Sequence, residues 1–178
     1  MQLTSRLATQ EDIATLVALM DAAIVENQSA YLDPAQIESS KAIMGLDRQL
    51  VADGTYFVVE LDGVVVGCGG WSRRATLYGG DHFAGRDASL LDPSTQPAKV
   101  RAMYTHPAYV RRGVGRLVLR LCEEAARAEG FTTMELMSTL SGEPLYRAAG
   151  FEPVEQVEEP AGGTPVPLVR MRKPIGRP

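Results

Sequence analysis

The sequence holds only two cysteines, Cys68 and Cys122, far apart and each in an apolar context. That is no disulfide framework, and both read as reduced thiols inside a core. Long apolar runs are missing too. Stretches such as Val64-Val65-Val66 fall far short of the ~20 residues a membrane span requires, so no membrane partner is expected. The first residues show no basic stretch followed by an apolar one, so no secretory signal is read there and a cytoplasmic location is expected. A basic excess is lacking as well. The formal net charge of −4 argues against nucleic acid as a partner.

What is present suits an ordinary folded chain. Of the 178 residues, 45% are hydrophobic and 22% charged, the balance of a globule with a sizeable core. One domain spanning residues 1–178 is expected.

The patterning alternates between two periods. Gln2–Ala8 reads as a strand, and Thr9 with Asp12 as a helix start. Ile13, Leu16, Val17, Met20 and Ile24 follow at helical spacing. A second helical stretch begins at Asp33-Pro34 and runs toward Asp53-Gly54, interrupted near Gly45. Tyr56–Leu61 and Val64–Trp71 are strand-like and joined by Asp62-Gly63, a two-residue hairpin signal. Ser72–Ala98 is irregular, and a loop that long is often functional. Lys99–Thr105 reads as a strand and Gly113–Glu129 as the clearest amphipathic helix, closed by Gly130. Thr132–Ser138 is a further strand, Gly142–Ala149 a short helix, and the tail holds one or two more strands. The fold class is α/β: a mixed sheet with helices on its faces, and a right-handed parallel unit from Lys99 to Ser138.

Two segments carry chemistry. Arg111-Arg112-Gly113-Val114-Gly115-Arg116 lies between a strand and a helix, where backbone N–H groups and the helix start together suit a pyrophosphate. A dinucleotide fingerprint fails because Val118 stands where a third glycine is needed, and a Walker loop fails because Arg116-Leu117 replaces Lys-Ser/Thr. The second segment is Leu145-Tyr146-Arg147-Ala148-Ala149-Gly150-Phe151, which puts a phenol on a short helix entering a strand. A phenol is a usable proton donor beside a developing anion.

Together these segments resemble the GNAT superfamily of N-acyltransferases. Val110–Gly115 is similar to its Q/R-x-x-G-x-G/A motif, with Val110 in place of Gln or Arg, and Leu145–Phe151 to its second motif. The resemblance implies a mostly antiparallel sheet with a parallel strand pair at a cofactor cleft and helices on both faces. It implies acetyl-CoA as co-substrate and no metal. The pyrophosphate would lie on Val110, Arg111, Arg112, Gly113, Val114, Gly115 and Arg116, and the pantetheine along Met103, Tyr104 and Thr105. Thr139 would stand where many relatives have a cofactor-binding asparagine. Tyr146 would be the general acid for the departing CoA thiolate.

The implied reaction moves acetyl to a primary amine of a small molecule or peptide, by direct attack. An acyl-CoA-binding sensor or regulatory module without transferase activity is the alternative, and a homodimer is compatible with either. An alkyl ammonium must first lose a proton. Asp81, His82, Glu60, Glu135 and His106 are the candidate bases, alongside a water relay. Trp71, Asp81 and His82 are expected near the acceptor, and the loop from Arg73 to Arg86 is expected to help choose it.

Overall fold

The computed structural model describes residues 2–176. Seven strands form one sheet: β1 (Leu3–Leu7), β2 (Tyr56–Leu61), β3 (Val64–Ser72), β4 (Ala98–Thr105), β5 (Thr133–Thr139), β6 (Glu152–Glu159) and β7 (Val166–Pro174), ordered β1-β2-β3-β4-β5-β7-β6. Five α-helices accompany them: α1 (Ile13–Glu26), α2 (Pro34–Ser40), α3 (Arg48–Ala52), α4 (Val114–Ala128) and α5 (Glu143–Ala148). Every strand pair is antiparallel except β4 with β5.

Local chemistry explains most boundaries. The β2–β3 hairpin turns on Asp62 (φ 52°) and Gly63 (φ 80°), both left-handed, as a two-residue turn matched to strand twist demands. The second helical stretch splits into α2 and α3. Asp33 caps α2, accepting from the Gln36 N–H (2.8 Å), and Asp47 caps α3, accepting from the Gln49 N–H (3.0 Å). Gly45 (φ 135°) lies between them. Residues 73–97 carry no helix or strand beyond a single bridge from Arg74 to Leu90.

Helices cover both faces. On one, α4 lays Val114, Val118, Cys122 and Ala126 against Val59, Val66, Leu136 and Met171. A Cβ added to Gly67 would meet Val114 Cγ1 at 2.2 Å, so this glycine lets α4 approach β3 closely. On the other face, Leu16, Leu19, Met20 and Ala23 of α1 pack with Leu50 and Val51 of α3 over Tyr56, Val58 and Cys68. The buried side of α1 differs from the expected stripe: Leu19 is buried in the cluster with Tyr56 and Val58 on the sheet, and Val17 lies outside that cluster and is exposed. Burial pushes the Cys68 thiol up to about 12 and raises Cys122 as well, so both are inert at neutral pH. Among the described residues no helix is long and apolar enough to cross a membrane.

The site is positioned by what β4 does along its length. It pairs with β5 only at Ala98↔Met134 and Lys99↔Glu135, after which the two strands part. A buried ion pair clasps this junction: Lys99 Nζ meets Glu135 Oε1 (3.2 Å), and Arg172 Nη2 meets Glu135 Oε2 (2.6 Å). Beyond it, Gly69 of β3 faces both Ala102 and Met103, a β-bulge with Ala102 at φ 51°. The extra residue swaps the faces of β4. Ala98 and Val100 point to the α4 side before the bulge, and Tyr104 points to the α1 side after it.

Candidate functional site

Where β4 and β5 separate, a cleft of about 1130 Å³ opens. Its walls include Met103–Thr105 of β4, the turn from Val110 to Arg116, Thr139, the α5 residues Leu145 and Tyr146, and the end of α1. The turn is built to present backbone donors. Arg111 sits at φ 62° and Gly113, the N-cap of α4, at φ 86°. Left-handed residues spaced this way fold peptide N–H groups into a concave nest, and α4 adds its own unpaired first-turn donors and positive dipole end. Holding a non-glycine such as Arg111 left-handed costs about 1–3 kcal/mol, the kind of strain found at ligand sites. A Cβ on Gly113 would meet nothing within 4 Å, so the space above the nest is open.

Side-chain charge points the same way. Among the described residues every lysine and arginine lies within 4.0 Å of a carboxylate except Arg111, Arg112 and Arg116. All three are exposed; Arg111 and Arg116 line the cleft, whereas Arg112 does not and stacks over Tyr109 at 5.3 Å. A chain of net negative charge thus leaves its uncompensated cations at one anion-shaped turn.

The bulge supplies a further donor. The buried Tyr56 hydroxyl donates to the Ala102 carbonyl (2.5 Å). Carbonyl and N–H of one trans peptide point oppositely, so the Met103 N–H is turned away from Tyr56. Asn27 Nδ2 donates to the Thr105 carbonyl (2.8 Å) and ties α1 to the same strand end.

Tyr146 stands in the cleft wall against Phe151, ring centroids 6.0 Å apart. Burial pushes its hydroxyl well above the ordinary tyrosine range, and that hydroxyl has no hydrogen-bond partner among the described residues. Thr139 Oγ1 accepts from the Gly142 N–H (3.1 Å) and exchanges with Ser141 Oγ (3.1 Å), so it anchors the start of α5 as well as lining the cleft. Gly115 has a packing role that its place in the motif hides. A Cβ there would meet Leu145 Cδ2 at 2.6 Å, so α4 and α5 touch because this residue is glycine. The nest and the phenol are thereby held in register.

The expectations for the acceptor side need correction. Trp71 is 2% exposed and packs edge-on against Phe131 (5.9 Å) in the core beneath α4, away from the cleft. Asp81 accepts from Arg48 through both its backbone N–H (2.9 Å) and its guanidinium (2.7 Å). His82 Nε2 lies 2.9 Å from the Lys41 carbonyl. Both pin the 73–97 loop to the α2–α3 connection, and neither lines the cleft. The other base candidates are also engaged. Glu60 pairs with Arg6 (3.0 Å), and His106 Nδ1 accepts from the Ala108 N–H (3.1 Å). Glu135 belongs to the junction clasp: burial pushes it up, but Arg172 and Lys99 outweigh that and hold it below the usual glutamate range.

The loop does reach the site, by its backbone. Residues 77–80 wall a smaller cavity of about 100 Å³ that shares Met44, Met103, Tyr104, Thr139 and Tyr146 with the main cleft. Sequence patterning alone does not single out Met44 and Gln28, which line the cleft, or Asp47, which pairs with Arg101 behind the smaller cavity. Gln28 is 2% exposed and lines the cleft, with a side-chain carbonyl lacking any partner. The signal available was the run of polar residues Asn27-Gln28-Ser29 ending an otherwise apolar helix.

Comparison with known proteins matches this geometry. Residues 16–151 match the model of the acetyltransferase (GNAT) family. Among solved structures, a GCN5-related N-acetyltransferase from Rhodopseudomonas palustris superposes with TM-score 0.73 at 20% identity, covering 98% of this chain and 96% of that one. The PaiA N-acetyltransferase from Thermoplasma acidophilum, solved with coenzyme A, gives 0.67 at 14% identity over 98% and 99%. The yncA protein from Salmonella typhimurium, solved with acetyl-CoA, gives 0.63 at 22% identity over 97% and 94%. A search of curated proteins returned no match. With a family model spanning most of the chain and the family's fold across nearly all of it, the protein belongs to the GNAT acetyltransferase family.

Proposed function

We propose that the protein transfers the acetyl group of acetyl-CoA to a primary amine of a small molecule or peptide. The observation that carries this reading is the convergence of the only unpaired cations among the described residues on the nest at the start of α4, one helix contact away from Tyr146. The donor set fits the co-substrate. Backbone amides of the turn and Arg111, Arg112 and Arg116 would hold the pyrophosphate. The Met103 N–H would polarise the thioester carbonyl as an oxyanion-type donor.

Acetyl-CoA supplies an activated acyl carbon with a thiolate leaving group. Tyr146 is the proton donor for that sulfur. Because burial raises its pKa, the phenol stays protonated at neutral pH and donates as negative charge builds on sulfur. The candidate bases are either engaged or outside the cleft, so the ammonium proton leaves to solvent.

Tyr146→Phe tests the assignment. Turnover should fall about 10²–10⁴-fold with acetyl-CoA affinity unchanged. Unchanged turnover would remove Tyr146 from the mechanism. Wild-type protein that binds acetyl-CoA but acetylates no amine would favour the non-transferring acyl-CoA-binding module.

A further inference from the structure

The small cavity beside Tyr146 has one charged group in its lining, Arg101. Its side chain is 3% exposed. It donates from Nη2 to Asp47 Oδ2 (2.9 Å) and the Gly79 carbonyl (2.7 Å), and from Nη1 to the Thr76 carbonyl (3.3 Å). Its Nε–H and one Nη1–H have no partner among the described residues. Asp47 is shared. Arg86 takes the same carboxylate through Nη2 to Oδ1 (2.9 Å) and Nη1 to Oδ2 (3.1 Å).

Two guanidiniums therefore share one carboxylate whose side chain is 1% exposed, so the Arg101 charge that lines the cavity is only partly offset by Asp47. The loop carbonyls of residues 76, 79 and 80 soften this charge but do not neutralise it. Burial and, less strongly, Arg86 pull Arg101 below the ordinary arginine range against the pull of Asp47, as expected of a cation short of a counter-ion. Uncompensated buried charge is costly, and a bound anion would relieve it.

Resting on the transfer reading above, we infer that the acceptor is an amine carrying its own carboxylate, of the free amino acid type, and that this carboxylate docks on Arg101. The cavity has room for several waters, or for a carboxylate and the carbon bearing it. It joins the main cleft at Met103 and Tyr146, so an amine close to a carboxylate on one small molecule can sit beside the bulge while the carboxylate fills the pocket. In the reaction the amine nitrogen bonds to the acetyl carbon and the carbon–sulfur bond breaks. Sulfur leaves with the electron pair and takes a proton from Tyr146; one ammonium proton passes to solvent before attack, the second restores the phenol through solvent, and the carboxylate is unchanged. A peptide N-terminus, or a plain alkyl amine, would leave Arg101 uncompensated.

The test is a panel of matched acceptors with saturating acetyl-CoA and wild-type protein: free amino acids, their carboxamides, and the decarboxylated amines. The expected result is a kcat/KM for a free amino acid at least tenfold above that of its own carboxamide. Arg101→Gln should bring that ratio close to one without changing acetyl-CoA affinity, and Arg101→Lys should keep part of it. If Arg101→Gln fails to fold, Arg86→Gln, which leaves a neutral Arg101–Asp47 pair, should still shrink the ratio. Carboxamides or plain amines that perform as well as free amino acids overturn the inference while leaving acetyl transfer intact. Binding of acetyl-CoA with no turnover of any amine overturns both.

Discussion

The two ends of the cleft are built from opposite materials. The end at the start of α4 is exposed, local and cationic through three arginines that have no carboxylate partner among the described residues, all within Arg111–Arg116 of one turn. The deep end is buried and tertiary: Asp47, Arg86 and Arg101 come from three distant segments and are bound to one another and to loop carbonyls. In the proposed reading, one end keeps its cations free for a solvated polyphosphate. The other holds its cations in a fixed frame where desolvation makes each charge count. A cofactor common to a family can be bound by backbone geometry, whereas an acceptor is selected by side chains that only the folded chain brings together.

The contrast breaks most severely at Asp47. Asp47→Asn leaves two guanidiniums facing each other in a buried frame and should cost about 3–5 kcal/mol, roughly 10 °C in melting temperature. A thermal melt checks this, and a loss under about 1 kcal/mol would mean the frame is not load-sharing. The same substitution should leave acetyl-CoA affinity in the folded protein unchanged.

Next comes Gly115→Ala, which places a methyl against Leu145 and should cost about 1–3 kcal/mol of overpacking. Because Leu145 is one residue from Tyr146, turnover should suffer more than acetyl-CoA affinity. An effect on affinity alone would show that Gly115 serves the nest and not the contact.

Arg111→Gln, Arg112→Gln and Arg116→Gln should each weaken acetyl-CoA binding by about twofold to fivefold, the worth of an exposed ion pair. The triple variant should also flatten the salt dependence of binding, and none should lower the melting temperature. Asp47→Asn reverses both outcomes, which is the sharpest form of the comparison.

Two effects of pH are smaller. Glu135 is held below the usual glutamate range, so its stabilisation is complete above about pH 4.5 and is lost as the pH falls below that. Glu135→Gln should remove that part of the acid lability in a melt series. The acetylation rate should rise with pH toward the acceptor amine's own pKa. No fall attributable to Tyr146 is expected in that span, because its pKa is raised and the protonated form is the active one.

What could be read in advance follows the same division. The Asp62-Gly63 hairpin, α4 with its flanking glycines and the nest all depend on residues near one another in sequence, where turn chemistry and periodicity act directly, and the parallel β4–β5 pair follows from the strand–helix–strand order. Trp71 looked like part of an acceptor pocket because it ends a strand beside an irregular loop. Its indole is instead buried in the core beneath α4, where Phe131 and Arg73 meet it, and lines no part of the cleft. Asp81 and His82 read as candidate bases near the acceptor, but their partners Arg48 and Lys41 lie 33 and 41 residues away in sequence and tether a loop. The face swap at Ala102 was invisible as well, since nothing in Arg-Ala-Met-Tyr announces a left-handed alanine. That bulge puts Tyr104 on the same face as Arg101 and turns the Met103 N–H away from Tyr56.

The most direct measurement is a calorimetric titration with acetyl-CoA of the wild type and of Gly113→Asp. An aspartate tolerates the left-handed backbone better than most residues and meets no protein atom there, so the fold should survive while a carboxylate occupies the nest. Saturable one-to-one binding to the wild type and none to the variant, with similar melting curves, is the expected result. Equal affinity in the two proteins would contradict it, because the phosphates would then be held somewhere other than the turn at the start of α4.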